Sequence, residues 1–351
     1  MFLLTKILTE TTRLKPYKAT DKIILLGKKM TPHESIQLLQ KKMNASIIGQ
    51  ENIVERLIIG LLANGNLLVE GLPGLAKTRA VRAMADTIDS KFSRIQFTPD
   101  LLPSDVTGSE NMYQDNGEYK FRFEEGPIFG NIILADEINR APAKVQAAML
   151  EAMEERQVTV AGKTHVLPKL FIVMATQNPV EQEGTYPLPE AQKDRFLMHV
   201  NITYPDKASE MEVIALVNGE RSGKKVEESE KILQDAIFAA RDEIANVESS
   251  KTVIQYIVDL VFATRNPEKY DEKLASYIDI GVSPRASLGL DQCSRVYAWL
   301  QGRNHTTPED VRAVVHDVFR HRITASYEAQ SERVSHDDII DTILNLVALP
   351  A

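Results

Sequence analysis

Eight residues at positions 71–78, Gly-Leu-Pro-Gly-Leu-Ala-Lys-Thr, carry the clearest chemical signal in this 351-residue chain. A polyphosphate requires several backbone N–H groups that converge on its oxygens and a helix N-terminus that adds positive potential. Gly71 and Gly74 permit the tight backbone that such a cradle needs. Lys77 would reach the β- and γ-phosphates, and the Thr78 hydroxyl would ligate Mg²⁺. The segment therefore predicts that the chain binds ATP with Mg²⁺.

The context of this segment supports the prediction, because an apolar run at residues 67–70 precedes it and a helical pattern at residues 80–85 follows it. One residue departs from the usual pattern, which has glycine before the lysine where this chain has Ala76. Alanine adopts helical angles readily, so we expect the site to tolerate it. The residues expected to contact the nucleotide here are Gly71, Leu72, Pro73, Gly74, Leu75, Ala76, Lys77, Thr78 and Arg79.

Two later apolar runs also lead into polar residues. Asp136 and Glu137 end the run that begins at residue 132. Asp136, at the carboxyl end of a strand, would hold Mg²⁺ directly or through water. Glu137 is expected to act as the general base that polarises the attacking water. The run at residues 170–174 leads to Asn178, which either orients that water, touches the γ-phosphate, or forms the turn before Pro179.

The elements that must position these residues follow from the alternation of short apolar runs with helical patterns between about residues 49 and 204. The runs occupy residues 66–70, 94–97, 131–135 and 170–176. Each is short, apolar and followed by a turn-forming or acidic residue, as buried parallel strands are. The pattern predicts an α/β fold in which a parallel sheet is flanked by helices.

The strand pattern stops at about Pro205, and helical patterns with one apolar face take over at residues 210–217, 253–264 and 287–300. We therefore predict an N-terminal extension at 1–30, an α/β nucleotide-binding domain at 31–205 and an all-helical domain at 206–351. The predicted α/β domain would begin with a helix, because Thr31, Pro32 and Glu34 have the pattern of a capping box.

Two β-hairpins are expected to interrupt the α/β pattern. Their turns are Asn116-Gly117 and Ala161-Gly162, each between segments that alternate in polarity. The first hairpin is rich in aromatic residues, which either grip a partner or pack the hairpin itself. These residues are Tyr113, Tyr119, Phe121 and Phe123.

Charge, cysteine content and the length of the apolar runs exclude several classes of protein. The formal net charge of −8 argues against non-specific coating of nucleic acid. The only cysteine, Cys293, allows no intramolecular disulfide, and we expect it to be a small residue in a helical core. No apolar run approaches the length of about 20 residues that spans a bilayer, and Lys6 interrupts the N-terminal apolar stretch too early for a secretory signal. We expect a cytoplasmic protein without a membrane span.

Taken together, these strings resemble the AAA+ ATPases, and within them the MoxR family. The resemblance spans about residues 48–320 and leaves out the first thirty. The matching strings are Ile48-Gly49-Gln50, the segment 71–78, Ala-Asp-Glu-Ile-Asn-Arg at 135–140, Ala-Thr-Gln-Asn-Pro at 175–179, Leu-Pro-Glu-Ala-Gln-Lys-Asp-Arg-Phe at 188–196 and Ser-Pro-Arg-Ala at 283–286.

This resemblance implies roles that composition does not supply. Asn178 matches the sensor-1 position, and Ile48 and Gly49 lie where the family contacts adenine. Arg195 matches the arginine finger, which acts on the nucleotide of the neighbouring subunit. Arg285 matches sensor 2, which reaches from the helical lid to the γ-phosphate of its own subunit. An arginine at either place would stabilise the charge that spreads over the γ-phosphoryl oxygens.

The resemblance further implies a P-loop AAA+ domain with two hairpin inserts, a C-terminal helical lid, and a homo-oligomeric ring, expected to be a hexamer. Catalysis would then use Lys77, Glu137, Asn178, Arg195 and Arg285, with Mg²⁺ on Thr78 and Asp136. The family's role is chaperone-like remodelling of client proteins, often with a partner that carries a von Willebrand factor A domain.

Three other functions remain open at this level. The chain could be the motor subunit of a metal chelatase, a nucleic-acid-directed AAA+ motor, or a slow ATPase that serves as a nucleotide switch in a scaffold. The acidic charge and the lack of a recognisable DNA-binding module argue against the second.

Overall fold

The computed structural model describes residues 23–25, 28–72, 74–75, 77–178, 184–221 and 230–350. The strands are β1 (Ile23–Leu25), β2 (Lys28–Met30), β3 (Leu67–Gly71), β4 (Phe92–Gln96), β5 (Gly108–Asp115), β6 (Glu118–Glu125), β7 (Ile132–Asp136), β8 (Gln157–Val160), β9 (Lys163–Val166), β10 (Ile172–Gln177), β11 (Met198–Ile202), β12 (Ile278–Ile280) and β13 (Thr324–Ala325).

The helices alternate with these strands in the first part of the chain and dominate the second. They are α1 (Pro32–Ser46), α2 (Glu51–Leu62), α3 (Lys77–Thr87), α4 (Pro103–Thr107), α5 (Ala143–Glu155), α6 (Glu190–Lys193), α7 (Lys207–Arg221), α8 (Gln234–Ala245), α9 (Lys251–Arg265), α10 (Glu272–Tyr277), α11 (Pro284–Leu300), α12 (Pro308–Phe319), α13 (Tyr327–Ser331) and α14 (His336–Leu346). Short 3₁₀ turns lie at Pro127–Phe129, Ile138–Arg140 and Pro267–Lys269.

A five-stranded parallel sheet in the order β11-β3-β10-β7-β4 organises the first part. The interior strand β7, which lies between β10 and β4, is buried along its whole length. Its alternate side chains enter two apolar clusters, Ile132 and Leu134 on one face and Ile133 and Ala135 on the other. Burial on both faces explains why such strands are near-continuous apolar runs. The predicted parallel sheet with flanking helices is confirmed.

The fifth strand, β11, is absent from the four predicted runs. It lies at an edge of the sheet beside β3, and polar residues alternate in it with apolar ones, namely His199 and Asn201 between Met198 and Ile202. An edge strand needs fewer apolar residues than a central one, so periodicity alone gave a weak signal.

The start of α1 agrees with its sequence pattern. Thr31 Oγ1 accepts a hydrogen bond from the Glu34 N–H at 3.2 Å, and the Thr31 N–H donates to the Glu34 carboxylate at 2.7 Å. This reciprocal pair is a capping box, with Pro32 in the first helical turn.

Both hairpins form with the expected turns. β5 pairs with β6 around Asn116-Gly117, and β8 pairs with β9 around Ala161-Gly162. All four turn residues have positive φ. The two hairpins contact each other, because the Phe123 ring stacks on His165 with centroids 3.8 Å apart. Phe123 therefore packs the hairpins, whereas Tyr119 and Phe121 further along β6 are about two-thirds exposed, at 68% and 64%.

The region after β11 is largely helical but not entirely. β12 and β13 form a two-stranded antiparallel ribbon, so the prediction of an all-helical region is wrong in this detail. Strands of three and two residues are too short to give a periodic signal. Helix α8 packs against α1, and Ile232 just before it bridges to Ile88. Within the described part of the chain, no helix is long and apolar enough to cross a bilayer.

Cys293 lies fully buried on α11, and burial raises the pKa of its thiol to about 12. The reactive thiolate is therefore scarce at pH 7–9. We predict no alkylation of the native protein by iodoacetamide at pH 8, and one modified thiol after unfolding, counted by mass spectrometry. The variant Ser104→Cys, at an exposed position, is the control and should be modified once in the native state. Rapid native modification of Cys293 itself would contradict this burial.

Candidate active site

The predicted phosphate-binding segment joins β3 to α3, as the sequence requires. Lys77, the first residue of α3, donates from Nζ to the Gly71 carbonyl at 2.7 Å and to the Gln177 carbonyl at 3.3 Å. The lysine therefore links the ends of the neighbouring strands β3 and β10. Gly74 has φ +84°, and a Cβ added there would meet no atom within 4 Å, so this position is open on the side where a ligand would sit. Pro73 and Ala76 lie outside the described residues.

Asp136 ends β7 with its side chain almost buried, at 8% residue exposure. Its Oδ1 accepts a 2.6 Å hydrogen bond from the Thr176 hydroxyl on β10. Its Oδ2 accepts from Arg94 on β4, from Nε at 3.1 Å and from Nη2 at 2.6 Å. Three neighbouring strands thus fix the orientation of this carboxylate.

Glu137 follows directly and adopts a left-handed backbone, with φ +59° and ψ +50°. Such a conformation is strained for a residue with a side chain and persists only where its surroundings enforce it. Here the Glu137 N–H donates to Thr176 Oγ1 at 2.9 Å. The same hydroxyl that binds Asp136 therefore also fixes the backbone of Glu137.

The Glu137 carboxylate is held by two side chains. Its Oε2 accepts from Gln96 Nε2 at 2.9 Å and forms an ion pair with Arg140 Nε at 3.1 Å. Gln96 in turn accepts from Arg94 Nη2 at 2.7 Å through its Oε1. Arg94 and Gln96 lie two residues apart on β4, so both side chains project from the same face of the strand.

Asp136 and Thr78 suit Mg²⁺, because carboxylate and hydroxyl oxygens are the hard donors that this ion takes. Thr78 lies in the first turn of α3, which packs against β7. Within the described ranges, no group of three or more His, Cys, Asp or Glu side chains could hold a metal alone.

Asn178 directly follows β10, next to the carbonyl of Gln177 that Lys77 contacts, and it is 7% exposed. Residues 179–183, including Pro179, lie outside the described residues, so the expected turn at Pro179 is not described. The position of Asn178 at the same sheet edge as Lys77 and Glu137 agrees with a sensor-1 role, which stays a prediction.

A small apolar cavity of about 100 Å³ lies beside Ile48, one of the residues expected to contact adenine. Its lining includes Ile48, Leu75, Arg79 and, from α7, Val213 and Leu216. Arg79 Nε donates to the Ser46 carbonyl at 2.8 Å, which ties α3 to the end of α1.

Gly49, next to Ile48, packs tightly against Ser209 on α7. Its φ is +71°, and a Cβ there would lie 2.3 Å from the side chain of Ser209 on α7. Only glycine fits without displacing α7, which carries part of the cavity wall.

The two arginines assigned by resemblance lie together. Arg195 Nε forms a 3.0 Å ion pair with Glu154 Oε2, and Arg285 Nη2 pairs with the other oxygen of the same carboxylate. Arg285 Nη1 also lies 4.0 Å from Asp194. We call Arg195, Arg285 and Glu154 the arginine cluster.

The expected role of Arg285 at the γ-phosphate of its own subunit stays a prediction. In the structure its charged partners are Glu154 and Asp194, next to Arg195. The lid brings it there because Ser283, which caps α11, donates to both Asp194 oxygens at 2.9 Å. The buried Arg322 also binds Asp194 at 2.9 Å. The fold thus fastens the start of α11 to the loop that carries Arg195.

Several residues that shape the site escaped the sequence analysis: Arg94, Gln96, Glu154, Thr176 and Asp194. Thr176 and Asp194 lie inside strings that were matched as motifs, but no role was assigned to them. For Arg94 and Gln96 the signal was their spacing of two in a predicted strand. That spacing shows a shared face but not which neighbouring strand the face meets.

Thr176→Val should leave Asp136 Oδ1 and the Glu137 N–H without their shared partner. We expect the free energy of unfolding to fall by about 1–3 kcal/mol, because a buried polar group without a partner keeps its desolvation penalty. Urea unfolding measures this. The control is Thr159→Val in the second hairpin, where the 3.4 Å contact with Thr164 is exposed and a change within about 0.5 kcal/mol is expected. Equal losses in the two variants would contradict the bridging role of Thr176.

The comparisons with known proteins agree with this geometry. Residues 66–198 match the model of the ATPase family associated with various cellular activities, and residues 272–343 match the AAA lid domain. A crystal structure of a protein from Cytophaga hutchinsonii, provisionally designated an ATPase, superposes with a TM-score of 0.83 at 44% identity and covers 91% of this chain and 96% of that one.

Curated relatives extend over most of the chain. Chaperone MoxR1 of Mycobacterium tuberculosis is 46% identical over 87% of this chain and 79% of its own length. Protein MoxR of Paracoccus denitrificans is 31% identical over 91% of this chain and 97% of its own length. A magnesium-chelatase subunit ChlI homolog of Methanocaldococcus jannaschii is 24% identical over 79% of this chain and 84% of its own length. The chain belongs to the MoxR family of AAA+ ATPases.

Proposed function

We propose that this chain hydrolyses ATP with Mg²⁺ in a ring of identical subunits and uses the cycle to remodel partner proteins. The observation that carries the proposal is the grouping of the candidate residues into two sets, each held by its own contacts. Lys77, Asp136 and Glu137 gather at one edge of the sheet, while Arg195 and Arg285 are fastened together on Glu154.

Hydrolysis would proceed by in-line attack of water on the γ-phosphorus of ATP, releasing ADP and phosphate. Glu137 accepts the proton of the attacking water, and Asn178 orients that water. Lys77 binds the β- and γ-phosphates. Mg²⁺ supplies charge neutralisation of the phosphate oxygens when it is bound with the nucleotide. The left-handed backbone of Glu137 fixes the direction in which its side chain leaves the main chain. Only the side chain must therefore rotate away from Gln96 and Arg140 to reach the water.

We propose that both arginines act on the neighbouring subunit. Two guanidinium groups share the Glu154 carboxylate at a partly exposed position, and a phosphate group from outside the chain would offer both of them a stronger bidentate partner. Since Arg285 shares its carboxylate with the arginine-finger candidate, the two side chains would approach the same nucleotide. The ring, proposed to be a hexamer, would then be required for full activity, because each active site is complete only at an interface.

The remodelling role rests on the stronger likeness to chaperones. Identity is 46% to Chaperone MoxR1 and 24% to the magnesium-chelatase subunit homolog, so we favour remodelling over the chelatase role. The exposed Met112, Tyr119 and Phe121 on the first hairpin offer apolar contacts for a client protein. A protein with a von Willebrand factor A domain is the proposed partner, and the reducing cytoplasm, which suits a chain with a single buried cysteine, is the proposed location.

Glu137→Gln should separate binding from turnover. The amide keeps the size of the side chain but is no base, so we expect ATP affinity within about twofold of wild type and a turnover at least about 100-fold lower. Lys77→Ala should instead lose most ATP binding. Calorimetry and a phosphate-release assay measure the two quantities. A Glu137→Gln variant that turns over ATP at the wild-type rate would exclude Glu137 as the base.

Mixing two inactive variants tests whether Arg285 acts across the interface. Arg285→Ala keeps an intact phosphate site, and Glu137→Gln keeps both arginines. If Arg285 acts on the neighbour, a random one-to-one mixture completes about a quarter of the interfaces and recovers about that share of wild-type activity. If Arg285 serves its own nucleotide, no interface is complete and the mixture stays inactive.

The same mixture with Arg195→Ala in place of Arg285→Ala is the matched control, with about a quarter of the activity expected. Light scattering of each mixture checks that rings form. Specific activity of the wild type that is independent of protein concentration and assembly would contradict the ring mechanism and favour the nucleotide-switch scaffold.

A further inference from the structure

Arg94 places a cation on the carboxylate that is expected to serve Mg²⁺. Both Nε and Nη2 of Arg94 contact Asp136 Oδ2, at 3.1 and 2.6 Å. The other oxygen, Oδ1, accepts the Thr176 hydroxyl at 2.6 Å. Because Oδ1 is bound by Thr176, Oδ2 is the oxygen that would contact an ion, and Arg94 occupies that oxygen.

The arginine is positioned rather than loosely paired. Its Nη2 also donates to Gln96 Oε1 at 2.7 Å, and Gln96 Nε2 donates to Glu137 at 2.9 Å. Arg94 itself is half-exposed, with a side-chain exposure of 50%, whereas that of Asp136 is 12%. The guanidinium can thus move into solvent, while the carboxylate it leaves stays in place.

Resting on the ATPase function proposed above, we propose that Arg94 is a latch that occupies the ion-facing oxygen of Asp136 in the nucleotide-free chain and releases it when Mg·ATP binds. In the free chain Arg94 neutralises a nearly buried carboxylate that otherwise keeps an uncompensated charge. In the loaded chain the guanidinium and a divalent ion cannot share one oxygen, because their positive charges repel strongly at contact distance.

Release of the latch has a consequence for Glu137. Arg94 and Glu137 are both held by Gln96, one through Oε1 and the other through Nε2. When Arg94 moves away, Gln96 loses the donor that fixes its amide, and its hold on Glu137 weakens. Binding of the metal-nucleotide complex would thereby loosen the general base and uncover the Oδ2 atom of Asp136, which stays in place.

The latch predicts that Arg94 opposes metal-dependent binding. The test measures the dissociation constant of a fluorescent, non-hydrolysable ATP analogue in excess EDTA and again in saturating MgCl₂. We call the first constant divided by the second the metal gain. Removing one charge-assisted, half-exposed contact should raise the metal gain of Arg94→Ala about five- to tenfold over wild type. Electron paramagnetic resonance of Mn²⁺ in place of Mg²⁺ should show a matching increase in bound ion.

Arg82→Ala is the matched control, because Arg82 is an exposed arginine on α3 whose ion pair with Asp86 is 3.8 Å long, and its metal gain should equal that of wild type. Arg94→Lys keeps the charge but not the two-point contact, so its metal gain should lie between those of wild type and Arg94→Ala. This variant carries the test if Arg94→Ala does not fold by circular dichroism.

An unchanged or smaller metal gain in Arg94→Ala and Arg94→Lys would overturn the latch, while nucleotide binding by the wild type would leave the proposed ATPase function standing. A wild-type chain that binds no nucleotide in either buffer would overturn the proposed function and the latch with it.

Discussion

The geometry of the active site depends on one hydroxyl group, that of Thr176, which connects the ends of two parallel strands. It donates to the Asp136 carboxylate and accepts from the backbone N–H of Glu137. In a parallel sheet the carboxyl ends of the strands meet at one edge, but hydrogen bonds between strands alone do not fix the side chains there. The hydroxyl orients the Asp136 carboxylate, the proposed metal ligand, and holds Glu137, the proposed base, in its strained backbone. Lys77 adds a second connection at this edge, between β3 and β10.

The two acidic residues at this edge differ in their surroundings, in line with the different roles proposed for them. Asp136 is nearly buried and held by strands on both sides, which suits a fixed ligand. The Glu137 side chain is more exposed, at 30% against 12% for Asp136, and its carboxylate contacts Gln96 and Arg140. Greater exposure leaves more room for the Glu137 side chain to turn toward a water molecule.

The arginine cluster depends on packing between distant parts of the chain. Glu154 lies in the last turn of α5, Arg195 follows α6, and Arg285 lies in the first turn of α11, so three elements far apart in sequence meet at one carboxylate. Asp194 fastens this meeting point through Ser283 and the buried Arg322. Burial lowers the pKa of Arg322, and the carboxylate of Asp194 opposes that shift. Arg322 therefore stays charged and paired with Asp194.

The sequence by itself determined the parallel sheet, both hairpin turns, the capping box of α1 and the phosphate-binding segment, because each of these depends on local patterns of apolar residues, turn residues and caps. It also identified Asp136, Glu137 and Lys77 by their places after and before strands. Only the tertiary structure decided that Arg94 and Gln96 face the acidic pair and that Arg285 joins Arg195 on Glu154. Those contacts join residues 41 to 131 positions apart, and a long-range pairing of charges leaves no periodic trace in the sequence.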